Sequence, residues 1–347
     1  MPGQKWRLNL ALQGGGAHGA FTWGVLDYLL EADAFEIGWL SGTSAGALNA
    51  VALATGLAEG GRDGARAKLR LVWETVANLG EPDFLRNNPI LAGLTRSNAA
   101  HRIAQLFSPS EINPLGLDPL RRLIEQTIDF TVLRTAPGPE LLIAATHIAS
   151  GRARLFRRRE LTAEALLASA CLPMLQRAVE IDGQLYWDGG FSANPDLVTL
   201  GSEAQGADTL IVQLAALVRE SRPLSAREIN GHMLHLVFNM PYVRHLEHIE
   251  TVRRLADDPS WLRRARASPM ERRLARHRFH LIEAGRFTGG LSVESRGQPE
   301  HELIRYLHQA GREQAGKWLE RHRADVGVRD TAELSRRLTA YRSAGIT

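Results

Sequence analysis

Residues 40–54 have the sequence LSGTSAGALNAVALA, and this stretch decides the fold. Its GTSAG pentapeptide at 42–46 lies between a strand-like run at 37–40 and a run of small and apolar residues at 47–54. This context predicts a nucleophile elbow, a tight strand-to-helix turn that lifts the Ser44 hydroxyl out of the sheet. A glycine-rich turn with an incidental serine is the alternative, and the flanking strand and buried helix disfavour it.

A second glycine-rich turn precedes the elbow. Leucines alternate with smaller residues at 8–12, which predicts a short strand. The strand leads into GGGAHG at 14–19, and an apolar stripe at helical spacing follows at 21–30. Because strand, glycine turn and helix occur twice in succession, we predict an α/β fold with a layered, mostly parallel sheet flanked by helices.

The turn at 14–19 has two physical uses. Its spacing fits G-x-G-x-x-G, in which backbone amides hold a dinucleotide pyrophosphate at a helix start. A dinucleotide site needs an acidic residue that closes the second strand, whereas Asp33 and Glu36 both precede that strand. The other use is an oxyanion hole, because successive glycines leave amides exposed and pointing one way. The turn alone does not choose between the two.

A strong hairpin signal at 179–187, with Asp182-Gly183 at its turn, ends in Asp188-Gly189-Gly190. Aspartate is common in turns, so a purely structural Asp188 is one interpretation. The other is a carboxylate that takes the proton of Ser44. No histidine lies in a motif that indicates a base, so we favour a Ser44–Asp188 dyad. Such a base needs a partly desolvated site that raises its pKa.

Residues 6–217 form the predicted catalytic domain, and the stretch at 79–119 interrupts its regular pattern with five prolines. We predict an irregular cap or lid there. Its apolar side chains are expected to line a trough for an acyl chain: Phe84, Ile90, Leu91, Leu94, Ile103 and Phe107.

Residues 218–347 are predicted to form a mainly helical, arginine-rich extension packed on the catalytic domain. The formal net charge of +4 is uneven, with the basic excess after residue 217. Nine arginines at 253–278 are expected to form a solvated face. The more specific alternative is that Arg263, Arg264 and Arg266 contact an anionic membrane surface. No recognition motif accompanies the charge, so nucleic acid is not an expected partner.

Composition excludes several classes of site. Cys171 is the only cysteine, so an internal disulfide and a four-thiolate zinc site are excluded. His245 and His248 lie one turn apart without a further clear ligand, so no metal is expected. The low-charge window at 39–57 contains glycines and hydroxyls and is predicted to be a buried turn and helix. We therefore expect a cytoplasmic protein. Peripheral contact with the inner membrane surface is a further possibility that this expectation leaves open.

Four motifs together resemble the patatin-like phospholipase family. They are GGGAHGAF at 14–21, GTSAG at 42–46, ASACLP at 168–173 and YWDGG at 186–190. The resemblance covers roughly residues 8–214. It implies a serine–aspartate dyad that hydrolyses lipid acyl esters without a metal or cofactor.

The resemblance assigns Ser44 as the nucleophile and Asp188 as its partner. His18 departs from it, since many relatives carry arginine or lysine there, and a neutral histidine would weaken any role of that cation. The acyl ester and the oligomeric state stay open, and a non-catalytic scaffold is the main alternative function. The remaining predicted site residues form the oxyanion hole and its support: Gly14, Gly15, Gly16, Gly19 and Ala45, with Gly42, Gly46, Gly189 and Gly190.

Overall fold

The computed structural model describes residues 5–79, 118–173, 176–219, 224–260, 267–289, 291 and 293–344. The strands are β1 (Arg7–Leu12), β2 (Glu36–Thr43), β3 (Leu141–His147), β4 (Ala153–Arg157), β5 (Val179–Ile181), β6 (Gln184–Asp188), β7 (Asp208–Gln213) and β8 (Arg278–Glu283). The α-helices are α1 (Gly19–Ala32), α2 (Ala45–Leu79), α3 (Pro119–Thr127), α4 (Phe130–Thr135), α5 (Ala163–Ser169), α6 (Val198–Glu203), α7 (Ala226–Ala256), α8 (Pro269–Arg276), α9 (Gly285–Thr288), α10 (His301–His322) and α11 (Leu334–Ser343).

The eight described strands form one sheet in the order β5-β6-β3-β2-β1-β7-β8, with β4 paired to β3. The neighbours β3, β2, β1, β7 and β8 are parallel, whereas β4 and β6 run antiparallel to β3, and β5 antiparallel to β6. Both faces of the sheet are covered by helices, which is the usual state of a parallel sheet. The predicted fold class is confirmed.

Alternation along β1 divides its side chains between two cores. Leu10 and Leu12 point into a core shared with α1, α2 and α10, whereas Ala11 belongs to a core shared with α6, α7, α8 and α11. Successive side chains of a strand point to opposite faces, so a single strand contributes to both layers. The sheet therefore has a helical layer on each side.

The carboxyl-terminal region supplies an edge strand to the same sheet. β8 pairs in parallel with β7 from Asp208↔Arg278 to Gln213↔Glu283. Phe279 of β8 is fully buried, and so is Leu307 of α10. A division between 6–217 and 218–347 stays a prediction, and the two regions share one sheet and both cores.

Two features differ from the sequence-based expectations. The helix after the elbow was expected to stop at Gly56, but it continues to a break at Gly60 and Gly61, whose backbone is not helical, and a second helical segment of α2 then runs to Leu79. A Cβ on Gly56 would lie 2.5 Å from the Cα of Ala65, so this glycine permits close packing rather than ending the helix. The unpredicted β4 is a short strand that is exposed at its start and buried at Phe156.

The hairpin and its turn are confirmed, with φ of 51° at Asp182 and 72° at Gly183. The proposed trough residues between 84 and 107 lie outside the described residues, as do Arg263, Arg264 and Arg266. Both interpretations therefore stay predictions.

Helices α1 and α10 approach each other through glycines. A Cβ on Gly24 would lie 2.0 Å from the carbonyl oxygen of His308, and one on Gly311 would lie 2.1 Å from that of Phe21. These neighbours are backbone atoms, so the helices themselves must separate to admit a methyl group. The packing of α10 on α1 thus depends on both glycines.

We expect Gly24→Ala to lower the free energy of unfolding by about 1–3 kcal/mol, the usual range for overpacking. Urea denaturation followed by circular dichroism measures it. Gly285→Ala is the matched control, because a Cβ there would meet nothing within 4 Å. Equal stability of the two variants would contradict the close approach of α1 and α10.

Candidate active site

Ser44 lies between the end of β2 and the start of α2 with φ of 55°, a left-handed conformation that is strained for serine. A Cβ on Gly42 would lie 2.6 Å from the carbonyl oxygen of Gly46, and one on Gly46 would lie 2.1 Å from that of Leu12. Larger residues would therefore push α2 away from β1 and β2. The backbone has the shape predicted for an elbow, with Ser44 half-buried.

Strand register brings Asp188 to the level of the elbow. Ala144 of β3 pairs with Thr43 on one side, and its neighbour Ala145 pairs with Asp188 on the other. Ser44 and Asp188 therefore flank β3 at the same height. A Cβ on Gly189 would lie 2.1 Å from the carbonyl oxygen of Ala144, so only glycine lets the chain leave β6 this closely.

The Asp188 carboxyl is fully buried, with 0% of the residue exposed. Its Oδ1 accepts a hydrogen bond from the Gly190 amide at 2.7 Å, whereas Oδ2 has no hydrogen-bond partner among the described residues. Burial raises the pKa of Asp188 to about 7, although the Gly190 amide and the Ser44 hydroxyl both act to lower it. A carboxyl with this pKa is a far better base than an exposed aspartate.

Residues to which the sequence analysis gave no part in the site hold Asp188 and the elbow in place. The Asp188 amide donates to the carbonyl of Cys171 at 2.8 Å, and the Thr146 hydroxyl donates to the carbonyl of Asp188 at 2.8 Å. The Ser44 amide donates to Ser169 Oγ at 3.1 Å. Ser169 and Cys171 lie within ASACLP, so that motif was the available signal.

The Cys171 thiol is buried beside this site. Burial, and then the charge of Asp188, raise its pKa to about 12. Its Sγ donates to the carbonyl of Arg177 at 3.0 Å. The thiol therefore stays protonated at neutral pH and is a poor nucleophile.

The glycine loop lies against Ser44, since a Cβ on Gly14 would fall 2.9 Å from Ser44 Cβ. The Gly14 amide donates to Asn194 Oδ1 at 2.7 Å, and the Gly19 amide donates to the carbonyl of Gly16. These two amides are engaged within the protein. Gly14 and Gly19 are therefore not free donors, which corrects their predicted place in the oxyanion hole.

Three amides of the predicted oxyanion hole remain. Those of Gly15, Gly16 and Ala45 donate no hydrogen bond to the described residues. Gly16 and Ala45 each begin a helical segment, where amides lack intrahelical acceptors. Gly19 instead allows α1 to pack on α2, because a Cβ there would lie 2.7 Å from Ala45 Cβ.

Asn194 joins the loop to the carboxyl-terminal region. Besides accepting from Gly14, its Nδ2 donates to the carbonyl of Phe238 in α7 at 3.0 Å. Its place six residues after Asp188 in FSANPD was the only signal in the sequence.

His18 is buried, and its Nε2 forms a hydrogen bond with Ser295 Oγ at 2.8 Å. Burial, and then the Arg296 guanidinium, lower the pKa of His18 to about 4, so it is neutral at pH 7. A Cβ on Gly16 would lie 2.2 Å from the carbonyl oxygen of Arg296. A cation therefore does lie beside the loop, and a distant segment supplies it.

The family can now be identified. The sequence model described as Patatin-like phospholipase matches residues 10–200, more than half of the chain. This chain belongs to the patatin-like phospholipase family. The match includes the glycine loop, the elbow and the Asp188 corner. No curated protein matches this patatin-like phospholipase in sequence.

Two solved structures show a distant likeness to this patatin-like phospholipase. VipD from Legionella pneumophila is 16% identical with a TM-score of 0.42, and the match covers 91% of this chain and 67% of VipD. The matching chain in the ExoU–SpcU complex from the type III secretion system of Pseudomonas aeruginosa is 14% identical with a TM-score of 0.34. That match covers 92% of this chain and 52% of the matching chain. This chain thus spans about half of the latter. The family assignment rests on the matching sequence model.

His245, which the sequence analysis considered as a metal ligand together with His248, has a partner within the fold of this patatin-like phospholipase. His245 Nδ1 lies 3.3 Å from the carbonyl oxygen of Pro195. Across the described ranges, no group of three or more His, Cys, Asp and Glu side chains is arranged to hold a metal ion. No described helix has the length and apolarity needed to cross a membrane. The low-charge window at 39–57 consists of the end of β2 and the buried start of α2.

Proposed function

We propose that this protein hydrolyses lipid acyl esters through Ser44 and Asp188. The observation that carries the proposal is their joint geometry. Ser44 occupies a strained elbow across β3 from a buried carboxyl, and the Oδ2 of that carboxyl has no hydrogen-bond partner among the described residues. Membership of the patatin-like phospholipase family supports lipid as the substrate class.

In the proposed reaction, Asp188 accepts the Ser44 proton while Ser44 Oγ attacks the acyl carbonyl carbon. The resulting oxyanion is held by the amides of Gly15, Gly16 and Ala45, and the amino-terminal end of α2 favours its charge. Collapse of this intermediate expels the alcohol, which takes the proton from Asp188. Water then attacks the acyl-serine while Asp188 takes one of its protons. The acyl–Oγ bond breaks, Asp188 passes this proton to Ser44 Oγ, and the fatty acid leaves.

Preorganised donors make the largest contribution in this scheme, since each oxyanion donor is worth about 3–4 kcal/mol of barrier. Gly14 and Gly19 act by position: their bonded amides fix the loop so that the Gly15 and Gly16 amides stay available. Asn194 is a positioning residue in the same sense, because it ties the loop to α7.

A fluorophosphonate probe tests the assignment directly. We expect purified protein to form one covalent adduct, located by mass spectrometry on the peptide containing Ser44, and to hydrolyse p-nitrophenyl butyrate. Heat-denatured protein is the control for non-specific labelling. An unlabelled native protein would favour the non-catalytic scaffold, and an adduct on another residue would reject Ser44 as the nucleophile.

A further inference from the structure

A cleft of about 650 Å³ lies beside β8, the strand at one edge of the sheet. It is lined by the last residues of β8, by the chain that follows β7, and by residues of α9, α10 and α11. None of the residues predicted for the candidate active site lines it. Its volume is within the usual range for small-molecule sites, about 300–1,000 Å³.

Cationic side chains predominate in the charged lining of the cleft. The one lining carboxylate among the described residues, Glu283, accepts hydrogen bonds from both terminal nitrogens of Arg337, that from Nη1 at 2.7 Å. This ion pair compensates the charges of both its members. The lysine and arginine residues of the lining are Arg286, Lys317, Arg321 and Arg337.

Three of these cations remain after the pair of Glu283 with Arg337. Lys317 forms an ion pair with Glu313, which lies four residues earlier on α10 and outside the lining. The guanidinium carbon of Arg286 lies 4.6 Å from the centroid of the Phe287 ring. Neither Arg286 nor Arg321 forms an ion pair with a side chain that the structure describes. The cleft therefore carries positive charge for which the described residues supply no counterion.

The rest of the lining includes apolar surface and unpaired donors. Leu281 and Trp318 supply apolar surface, and Trp318 is 5% exposed. The Trp318 indole N–H and the Gln314 amide nitrogen are buried and have no hydrogen-bond partner among the described residues. Buried donors without acceptors cost free energy. Because the terminal torsion of a glutamine side chain is soft, the Gln314 amide can turn towards an acceptor in the cleft.

We propose that this cleft binds a small amphiphilic anion, whose carboxylate or phosphate is held by Arg286 and Arg321 and whose apolar body packs on Leu281 and Trp318. Arginine side chains have donors only, so a group rich in acceptor oxygens complements them. An uncharged ligand would leave the guanidinium groups without a counterion, and a bare inorganic anion would leave the apolar lining in water. A fatty acid is one such anion, and only its release at the candidate active site rests on the proposed function.

Isothermal titration calorimetry of the full chain tests the site with four probes, each used below its micelle concentration: decanoate, decyl phosphate, decanol and inorganic phosphate. We expect saturable binding of decanoate, of decyl phosphate, or of both. Decanol and inorganic phosphate should bind at least about tenfold more weakly, because each lacks one half of the recognised chemistry.

A double variant locates the binding. Arg286→Gln together with Arg321→Gln should weaken binding of the amphiphilic anion at least about tenfold, since two charged donors are lost. The matched control carries Arg152→Gln and Arg305→Gln, which remove the same charge from exposed positions outside the cleft and should bind normally. Hydrolysis of p-nitrophenyl butyrate should be unchanged in both, so failure of the anion site and failure of catalysis are distinct results.

Several outcomes would overturn the proposal. One is that neither decanoate nor decyl phosphate binds. Equal loss in the two double variants would make the affinity a matter of net charge, and undiminished binding in both would place the ligand elsewhere. Decanol or inorganic phosphate that binds as tightly as the amphiphilic anions would show that the charged group or the apolar body has no part in recognition. With these excluded, the tighter of decanoate and decyl phosphate identifies the head group that the cleft prefers.

Discussion

Replacing Ser44 by alanine is expected to lower kcat/KM for p-nitrophenyl butyrate by about four orders of magnitude or more, which is typical of removing a serine nucleophile. Alanine leaves Asp188 and the glycine loop in place, so residual catalysis would come from oxyanion stabilisation alone. The same variant should no longer react with a fluorophosphonate probe. Steady-state kinetics and intact-protein mass spectrometry measure the two effects.

Ser41→Ala is the matched control for this loss. Ser41 lies in β2 three residues before Ser44, is 1% exposed, and its Oγ has no hydrogen-bond partner among the described residues. Removing an unpaired buried hydroxyl should leave activity intact and stability equal or slightly higher. Turnover by Ser44→Ala within tenfold of Ser41→Ala would reject the nucleophile.

The parts of the fold that the sequence predicts are those set by neighbouring residues. Alternation at 8–12, the glycines around Ser44 and the Asp182-Gly183 turn each fix local backbone geometry, and the structure has strand, elbow and hairpin at those places. The identity of these elements therefore follows from steric rules over a few residues.

The parts that the sequence does not predict depend on contacts between distant segments. Gly56 looks like a helix stop, yet the helix breaks only at Gly60 and Gly61, and Gly56 instead allows Ala65 of the second segment of α2 to pack closely against it. Asn194 accepts the Gly14 amide although it lies 180 residues further along the chain. The backbone of Arg296, still later in the chain, packs against Gly16 of the same loop. No local pattern encodes such contacts, since they arise only when the sheet has formed.

The pairing of Ser44 with Asp188 is predicted only in part by local sequence, and in part it depends on contacts between distant segments. Both residues stand in recognisable turns, so the sequence proposes them as partners. Their distance depends on the register of β3 with β2 and β6, and a slip of one residue would turn the side chains to the other face. The raised pKa of Asp188 follows from the same burial, which local sequence does not specify.

That pKa predicts the pH dependence of hydrolysis. In the proposed reaction Asp188 must be ionised to accept the Ser44 proton. Because its pKa is about 7, kcat/KM should fall about tenfold per pH unit below that value and level off above it. The profile is measured with p-nitrophenyl butyrate in constant-ionic-strength buffers. A flat profile between about pH 5 and 8 would contradict a base with the raised pKa of a buried carboxyl.

Asp188→Asn separates catalysis from stability. The amide retains the shape of the carboxyl but cannot accept the proton, so we expect kcat to fall by about 10³–10⁴-fold. Burial raises the pKa of Asp188 from 3.8 to about 7, so the folded protein binds a proton that the unfolded chain releases in this range. The contribution of Asp188 to the stability of the wild type therefore decreases as pH rises from about 4 to 7, because ionisation within the fold is costly.

The asparagine variant has no such ionisation. At pH 8 it should be more stable than the wild type by an amount on the order of 2–4 kcal/mol, and at pH 4 the two should nearly coincide. Urea denaturation at both pH values measures the difference. A variant that is inactive and also less stable at pH 8 would mean that Asp188 supports the fold in its ionised form, and the burial argument for a base with a raised pKa would then fail.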